Sequence, residues 1–223
     1  MRVTNITQQK RDPAKYNIYL DGTYVFALPK QDMAYFKIEE GKDVSEETVA
    51  FIQENLIYIR AQDTALHYIG YKMRTVEEVR KKLQEKEFTP DVIDAVLAFL
   101  EKFKYTDDLV YAQKYIKERL RLRPKSGYLL KMELRQRGVA ERICTLALDE
   151  IQPDEAGDAY GWLRKKTKGE PVVLDEKKRR QLYGFLGRKG YSYDIIKEAF
   201  CRLERGDDDG ESYGEEEAEE RLH

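Results

Sequence analysis

The chain has 223 residues, of which 41% are hydrophobic and 37% charged, which suits one or two compact units with a heavily charged surface. No run approaches the roughly 18 apolar residues that a membrane-spanning helix needs. The start, MRVTNITQQKRD, also lacks the apolar segment of a secretory signal, so we expect a cytoplasmic protein.

The formal net charge of −2 conceals a strong asymmetry along the chain. Residues 1–108 carry 16 basic and 19 acidic residues, whereas residues 109–206 carry 23 basic and 14 acidic ones. The segment 207–223 holds nine acidic residues against Arg221 alone. We predict a disordered acidic tail here, which either only solubilises the protein or competes within the molecule for its basic surface.

Residues 1–58 are predicted to form a strand-rich extension that also contains helices. The segments KYNIYL (15–20) and TYVFAL (23–28) flank Asp21-Gly22, a strong signal for a β-hairpin. VTNITQQ (3–9) supplies a candidate third strand, and helical patterning begins after Pro29. We expect this extension to pack against the helices that follow it.

From about residue 61 the pattern is helical and repeats. The segments 77–100, 128–151 and 179–203 align with offsets of 51 and then 52 residues, and each is preceded by a further helix. The matched apolar positions include Val79, Leu130 and Leu182; Leu83, Leu134 and Leu186; and Val92, Ile143 and Ile195. The predicted fold is therefore mainly α, with three tandem three-helix repeats at 61–108, 109–151 and 154–205.

Local signals give the ends of several helices. Thr75 and Glu78 have the spacing of a capping box, and Thr106 is predicted to cap the first helix of the second repeat. Gly138 and Gly190 each follow a basic residue, which favours a helix end with positive φ.

Residues that could carry catalysis are few. Asp107-Asp108 could bind Mg²⁺, but an acidic pair in the first turn of a helix is more typical of a structural role. The internal histidine, His67, has no cysteine partner for a zinc site, and neither a P-loop nor a G-x-S-x-G motif occurs. We predict no enzymatic activity, no cofactor and no metal site.

Basic residues are dense in the second and third repeats, and together they predict binding to a polyanion such as DNA or to an acidic protein surface. The candidate partner-binding residues are Arg119, Arg121, Arg123, Lys131, Arg135, Lys165, Lys166, Lys178, Arg179, Arg188 and Lys189.

Several segments resemble the bacterial RecX regulatory family. They are RTVEEVRKKLQEKEF (74–88), FKYTDDLVYAQKYIKERL (103–120), MELRQRGV (132–139) and RKGYSYDIIKEAF (188–200). The resemblance covers residues 61–205 well, and YNIYLDGTYVFAL is similar to the N-terminal extension of some members. In the first repeat Glu87 stands where the later repeats have glycine, which leaves the geometry of that turn open.

The resemblance implies a regulator of homologous recombination and DNA repair. It would bind the RecA recombinase or the RecA–DNA filament and mostly inhibit ATP hydrolysis and strand exchange. Apart from the resemblance, we expect a monomer that does not bind membranes. Two alternatives stay open on the residues alone: a general DNA-binding helical repeat protein that acts without RecA, and a helical scaffold for another acidic protein.

Overall fold

The computed structural model describes residues 1–167 and 175–205, so the predicted acidic tail at 207–223 lies outside the described residues. The chain divides into two compact units. The first contains residues 1–111 and 137–139, and the second contains residues 112–136 and the chain from residue 140 onward. Within the described ranges, no helix combines the length and the apolar character that crossing a membrane requires.

The first unit opens with a three-stranded antiparallel sheet, as the sequence predicted. Strands β1 (Val3–Gln8), β2 (Lys15–Leu20) and β3 (Thr23–Pro29) lie in the order β1-β2-β3. The β2–β3 turn is Asp21-Gly22, with φ values of 48° and 83°. Both values are positive, as a two-residue hairpin turn of type I′ requires. One face of the sheet is buried through Ile18, Leu20, Phe26 and Leu28.

A continuous helical segment joins the sheet region to the first repeat. After the short helix α1 (Lys30–Tyr35), α2 (Glu46–Ile52) begins at Ser45, whose hydroxyl accepts a hydrogen bond from the Thr48 N–H at 3.1 Å. A π-helical turn, Gln53–Ile57, then leads directly into α3 (Tyr58–Tyr71). The chain is therefore helical without interruption from the end of the extension into the first repeat.

The predicted three-helix repeats are confirmed. Their first helices are α3, α6 (Asp108–Leu122) and α9 (Glu155–Thr167); the middle helices are α4 (Val76–Glu85), α7 (Gly127–Gln136) and α10 (Glu176–Arg188); the third helices are α5 (Pro90–Lys102), α8 (Glu141–Ile151) and α11 (Tyr193–Arg205). Each repeat thus presents the same three helices in the same order.

The matched apolar positions lie in the cores. Leu83, Leu134 and Leu186, at equivalent positions of the three middle helices, are completely buried. At one matched position of the third helices, however, Ile93, Cys144 and Ile196 are buried, whereas the preceding residues Val92, Ile143 and Ile195, which the alignment matched, are only partly buried. At this position the core residue therefore lies one residue further along than the alignment placed it, whereas the aligned residues Val96, Ala147 and Ala199 are completely buried.

The sheet packs against the first repeat, as expected. Phe88 and Val92 contact both the core beneath the sheet and the core of the first repeat. The hydroxyl of Tyr24 in β3 donates a hydrogen bond to the Glu87 carbonyl at 3.0 Å. The extension and the first repeat therefore share apolar contacts within one unit.

Candidate functional site

The acidic pair Asp107-Asp108 begins α6 and binds backbone N–H groups. Asp107 accepts hydrogen bonds from the N–H groups of Leu109 and Val110, at 2.9 and 3.0 Å, and so caps its own helix. The predicted cap, Thr106, was wrong: its hydroxyl is buried and has no hydrogen-bond partner among the described residues. The anionic carboxylate takes the capping position because it suits the positive end of the helix dipole.

The Asp108 side chain accepts a hydrogen bond from the start of a different helix. Its carboxylate accepts from the N–H of Val76, the first residue of α4, at 3.0 Å. Burial raises the pKa of Asp108, the neighbouring charges of Asp107, Glu78 and Glu77 add to that rise, and the Val76 hydrogen bond opposes it. The acidic pair thus has the structural role that the sequence favoured.

The same arrangement recurs in the third repeat at Asp154-Glu155, which the sequence analysis missed. Asp154 accepts from the N–H of Gly157 at 2.9 Å, within its own helix. Glu155 accepts from the N–H of Gly127, the first residue of α7, at 2.7 Å. An acidic dipeptide 47 residues after Asp107-Asp108 was the available signal.

Two middle helices end just before a basic residue followed by glycine, Arg137-Gly138 and Lys189-Gly190, and the contacts there explain why glycine is needed. The Arg137 carbonyl accepts a hydrogen bond from the Thr75 hydroxyl at 2.7 Å, and the Lys189 carbonyl accepts from the Ser126 N–H at 3.1 Å. Gly138 and Gly190 follow with φ of 86° and 87°. A Cβ would overlap Glu77 at the first position, and Ser126 and Leu129 at the second. Glycine is therefore required both by backbone conformation and by close packing.

Glu87, which replaces glycine in the first repeat, keeps the same backbone conformation with φ of 61°. The turn geometry is thus unchanged, and a non-glycine residue adopts the left-handed region at an energetic cost.

Arg137 and Lys189, the basic residues that precede these glycines, contact aromatic side chains of the first helices. The Arg137 guanidinium lies 3.3 Å from the hydroxyl of Tyr111 in α6. The Lys189 ammonium lies 3.7 Å from the ring centre of Trp162 in α9. Tyr111 is the fourth residue of α6 and Trp162 the eighth residue of α9, so the two contacts lie one helical turn apart along equivalent first helices. Arg137 and Lys189 therefore hold a middle-helix end against a first helix in both cases.

The Trp162 contact brings several predicted binding residues together, and we name Trp162, Phe185, Lys166 and Lys189 the Trp162 cluster. The Trp162 and Phe185 ring centres are 5.8 Å apart, and Lys166 and Lys189 lie 5.3 and 5.2 Å from the centre of Phe185. The Trp162 indole N–H donates to the Pro124 carbonyl at 3.0 Å, which places Arg123, the preceding residue, beside this cluster. Lys166 and Lys189 thus lie close together around Phe185, and the segment that carries Arg123 contacts Trp162.

Four other predicted binding residues are engaged by acidic side chains. Arg119 lies 3.9 Å from Glu133, and Arg179 lies 2.9 Å from Glu204. Lys131 and Arg135 both contact Glu141, at 3.0 and 3.2 Å. The Lys131 hydrogen bond, then the charges of Lys131 and Arg135, lower the pKa of Glu141. These four cations are positioned by the fold and are less available to a partner.

The remaining predicted cations are exposed and, within residues 1–167 and 175–205, make no ion pair: Arg121, Arg123, Lys165, Lys178 and Arg188. The basic run 177–180 is visible in the sequence, but the list of candidate residues took only Lys178 and Arg179 from it. Lys177 and Arg180, which it left out, line one surface groove along α10 with Arg188 and Gly184. Their helical spacing of three, four and four residues was the signal that identifies this face.

Family models for the RecX domains match most of the chain. The description "Regulatory protein RecX N-terminal domain" matches residues 1–45, and the first, second and third RecX three-helix domains match residues 61–100, 107–148 and 155–200. Proteins named "Regulatory protein RecX" are similar along most of their length. The one from Leuconostoc mesenteroides is 30% identical over 212 residues, which cover 93% of this chain and 78% of the relative. The one from Clostridioides difficile is 29% identical, with 90% and 95% covered.

Solved structures of RecX proteins have a fold similar to that of this chain. A crystal structure of regulatory protein RecX matches with a TM-score of 0.58 and 27% identity, covering 88% of this chain and 98% of that one. The fold of RecX from Lactobacillus salivarius also matches, with a TM-score of 0.59 and 23% identity over 66% of this chain and 97% of that one. The domain models, the relatives and the repeated helix junctions agree on one conclusion: the chain belongs to the RecX family of regulatory proteins.

Proposed function

We propose that this chain regulates homologous recombination by binding the RecA recombinase on its DNA filament and restraining ATP hydrolysis and strand exchange. The protein would perform no chemistry. It would act by binding one state of the filament more tightly than another, because a ligand shifts an equilibrium only through such a difference in affinity.

The observation that carries the proposal is the set of exposed cations in the second unit that lack an ion pair with described residues. Arg121 and Arg123 lie at the end of α6, and Lys165 lies on α9. The contact between Trp162 and Pro124 holds α9 against the segment after α6. Such a surface suits the phosphates of filament DNA or an acidic surface of RecA. Membership in a family of regulatory proteins supports the same function.

The test is the single-stranded-DNA-dependent ATP hydrolysis rate of RecA from the same bacterium, titrated with the full chain. We expect loss of activity well below one copy per RecA protomer. The triple variant R121Q/R123Q/K165Q should inhibit at least several-fold more weakly. The control K10Q/K30Q/K72Q removes the same charge from exposed lysines of the first unit and should inhibit like the wild type.

The other outcomes separate the alternatives. Unchanged ATP hydrolysis up to excess protein, with naked DNA still bound at the same affinity when RecA is absent, would establish a DNA-binding protein that acts independently of RecA. Unchanged hydrolysis together with negligible DNA binding would favour a scaffold for another acidic protein. Equal inhibition by R121Q/R123Q/K165Q and the wild type would show that the binding surface does not include these three residues.

A further inference from the structure

The exposed face of α10 combines positive charge with small side chains. Lys177, Arg180 and Arg188 share this face with Gly184. A Cβ at Gly184 would meet only the Arg188 guanidinium at 3.5 Å, and one at Gly187 would meet nothing within 4 Å. Packing among the described residues thus does not require either glycine, although glycine inside a helix is unfavourable by roughly 1 kcal/mol relative to alanine. The face allows another chain to approach the helix backbone closely.

The end of α11 lies beside this face. Arg179, in the first half of α10, is paired with Glu204 at 2.9 Å, and α11 ends one residue later at Arg205. The last described residues therefore lie beside the first half of α10, which also carries Lys177 and Arg180. Arg180 has one acidic contact of its own, Glu176 at 3.0 Å, but both side chains are more than four-fifths exposed, so this pair contributes little.

The length and charge of the segment fit the face. Residues 207–223 hold nine acidic residues and one arginine. Seventeen extended residues reach up to about 55 Å, whereas the 13 residues of α10 measure about 20 Å. The attachment at Arg205 also keeps the segment at a high effective concentration near α10, on the order of millimolar for a short tether.

We propose that the acidic segment 207–220 binds the Lys177–Arg180–Arg188 face of α10 and so competes with polyanions for the basic surface of the second unit. The functional consequence rests on the proposed function, but the contact itself involves only this chain. A partner that binds the basic surface must first displace the segment, which lowers its apparent affinity.

The first experiment contains no DNA and no RecA. The probe is a fluorescein-labelled peptide of residues 207–220, and its anisotropy is measured with full-length chains in 50 mM NaCl. In the neutralised-tail chain, the nine acidic residues of 207–223 are replaced by Asn or Gln. This chain should bind the peptide at least tenfold more tightly than the wild type, whose face is occupied by its own segment.

Adding K177Q/R180Q/R188Q to the neutralised-tail chain should reduce peptide binding at least tenfold, and adding K10Q/K30Q/K72Q should change it less than twofold. Equal peptide binding by the wild-type and neutralised-tail chains, or equal losses from the two triple variants, would overturn the proposal. Circular dichroism and thermal unfolding of each variant show that it is folded.

The second experiment measures the consequence with a labelled 30-nucleotide oligo(dT). The neutralised-tail chain should bind it at least fivefold more tightly than the wild type in 50 mM NaCl, with convergence at high salt as the contact is screened. A positive peptide result without any oligo(dT) binding would support the intramolecular contact and count against direct binding of DNA by the basic surface.

Discussion

The Asp108 carboxylate accepts a hydrogen bond from the backbone N–H of Val76 at 3.0 Å, across 32 positions of sequence. Val76 is the first residue of α4, where backbone N–H groups have no partner within the helix. Glu155 makes the equivalent bond to Gly127 in the second unit. Acidic residues at the start of a first helix thus stabilise the beginning of the preceding middle helix in both places.

This relationship predicts different results for two substitutions of Asp108. Asp108→Ala leaves the half-buried Val76 N–H without its acceptor and should lower the free energy of unfolding by about 1–2 kcal/mol. Asp108→Asn keeps an acceptor oxygen but removes the carboxylate charge. Burial and three nearby carboxylates disfavour that charge, because they raise the pKa of Asp108. Asp108→Asn should change stability by less than about 0.5 kcal/mol at pH 7. Urea unfolding measures both, and equal losses would show that the hydrogen bond contributes little.

The repeats could be predicted from sequence because Leu83, Leu134 and Leu186 recur at nearly constant spacing and are all fully buried. The Thr75 capping box, which involves residues three apart, was also correct. Contacts between distant segments could not be predicted in the same way. The Asp108 bond to Val76 depends on which helices become neighbours, and periodicity does not give that.

The candidate binding surface shows the same limit. Counting basic residues placed Lys131 and Arg135 in one group with Arg121, although Glu141 engages the first two. A sequence shows how many acidic residues are nearby but does not show which of them faces a given cation. The Trp162 cluster, formed by α9 and the C-terminal half of α10 with Lys189, could not be predicted from sequence for the same reason.

The left-handed positions at the ends of the middle helices provide a second prediction. Gly190→Ala must place a Cβ at φ of 87° against Ser126 and Leu129 and should cost about 2–4 kcal/mol. Glu87→Gly relieves the strain of a side chain at φ of 61° and should stabilise the protein by about 1 kcal/mol. Thermal unfolding of both variants tests this opposition. Destabilisation by Glu87→Gly would show that contacts of the Glu87 side chain outweigh its backbone strain.

Glu133 gives a prediction on pH. Burial acts to raise its pKa, but hydrogen bonds from Lys125 and Tyr115, with the charges of Lys125 and Arg119, hold the pKa below its ordinary value of 4.5. A lowered pKa in the folded state means that Glu133 contributes stability above pH 4.5 and that this contribution is lost as the pH falls through the folded pKa.

Glu133→Gln should therefore lower the free energy of unfolding by about 1–2 kcal/mol at pH 7. The difference between variant and wild type should shrink as the pH falls below 4.5, because the wild-type carboxylate is then protonated as well. Urea unfolding at pH 7 and pH 3.5 provides the comparison. A difference that stays constant between these pH values would assign the loss to packing instead of charge.

Some basic side chains are exposed without an ion pair among the described residues, whereas others are paired with Glu141. This difference predicts how DNA binding depends on salt. Each phosphate contact to a single strand contributes a slope of about −0.7 in log K against log salt. R121Q/R123Q removes two exposed arginines without an acidic partner among the described residues and should make the slope shallower by about 1.4. K131Q/R135Q removes the same charge from side chains that Glu141 engages and should change the slope by less than half as much. Fluorescence anisotropy of a labelled oligo(dT) between 50 and 300 mM NaCl measures both slopes, and equal changes would mean that a bound strand displaces Glu141 from Lys131 and Arg135.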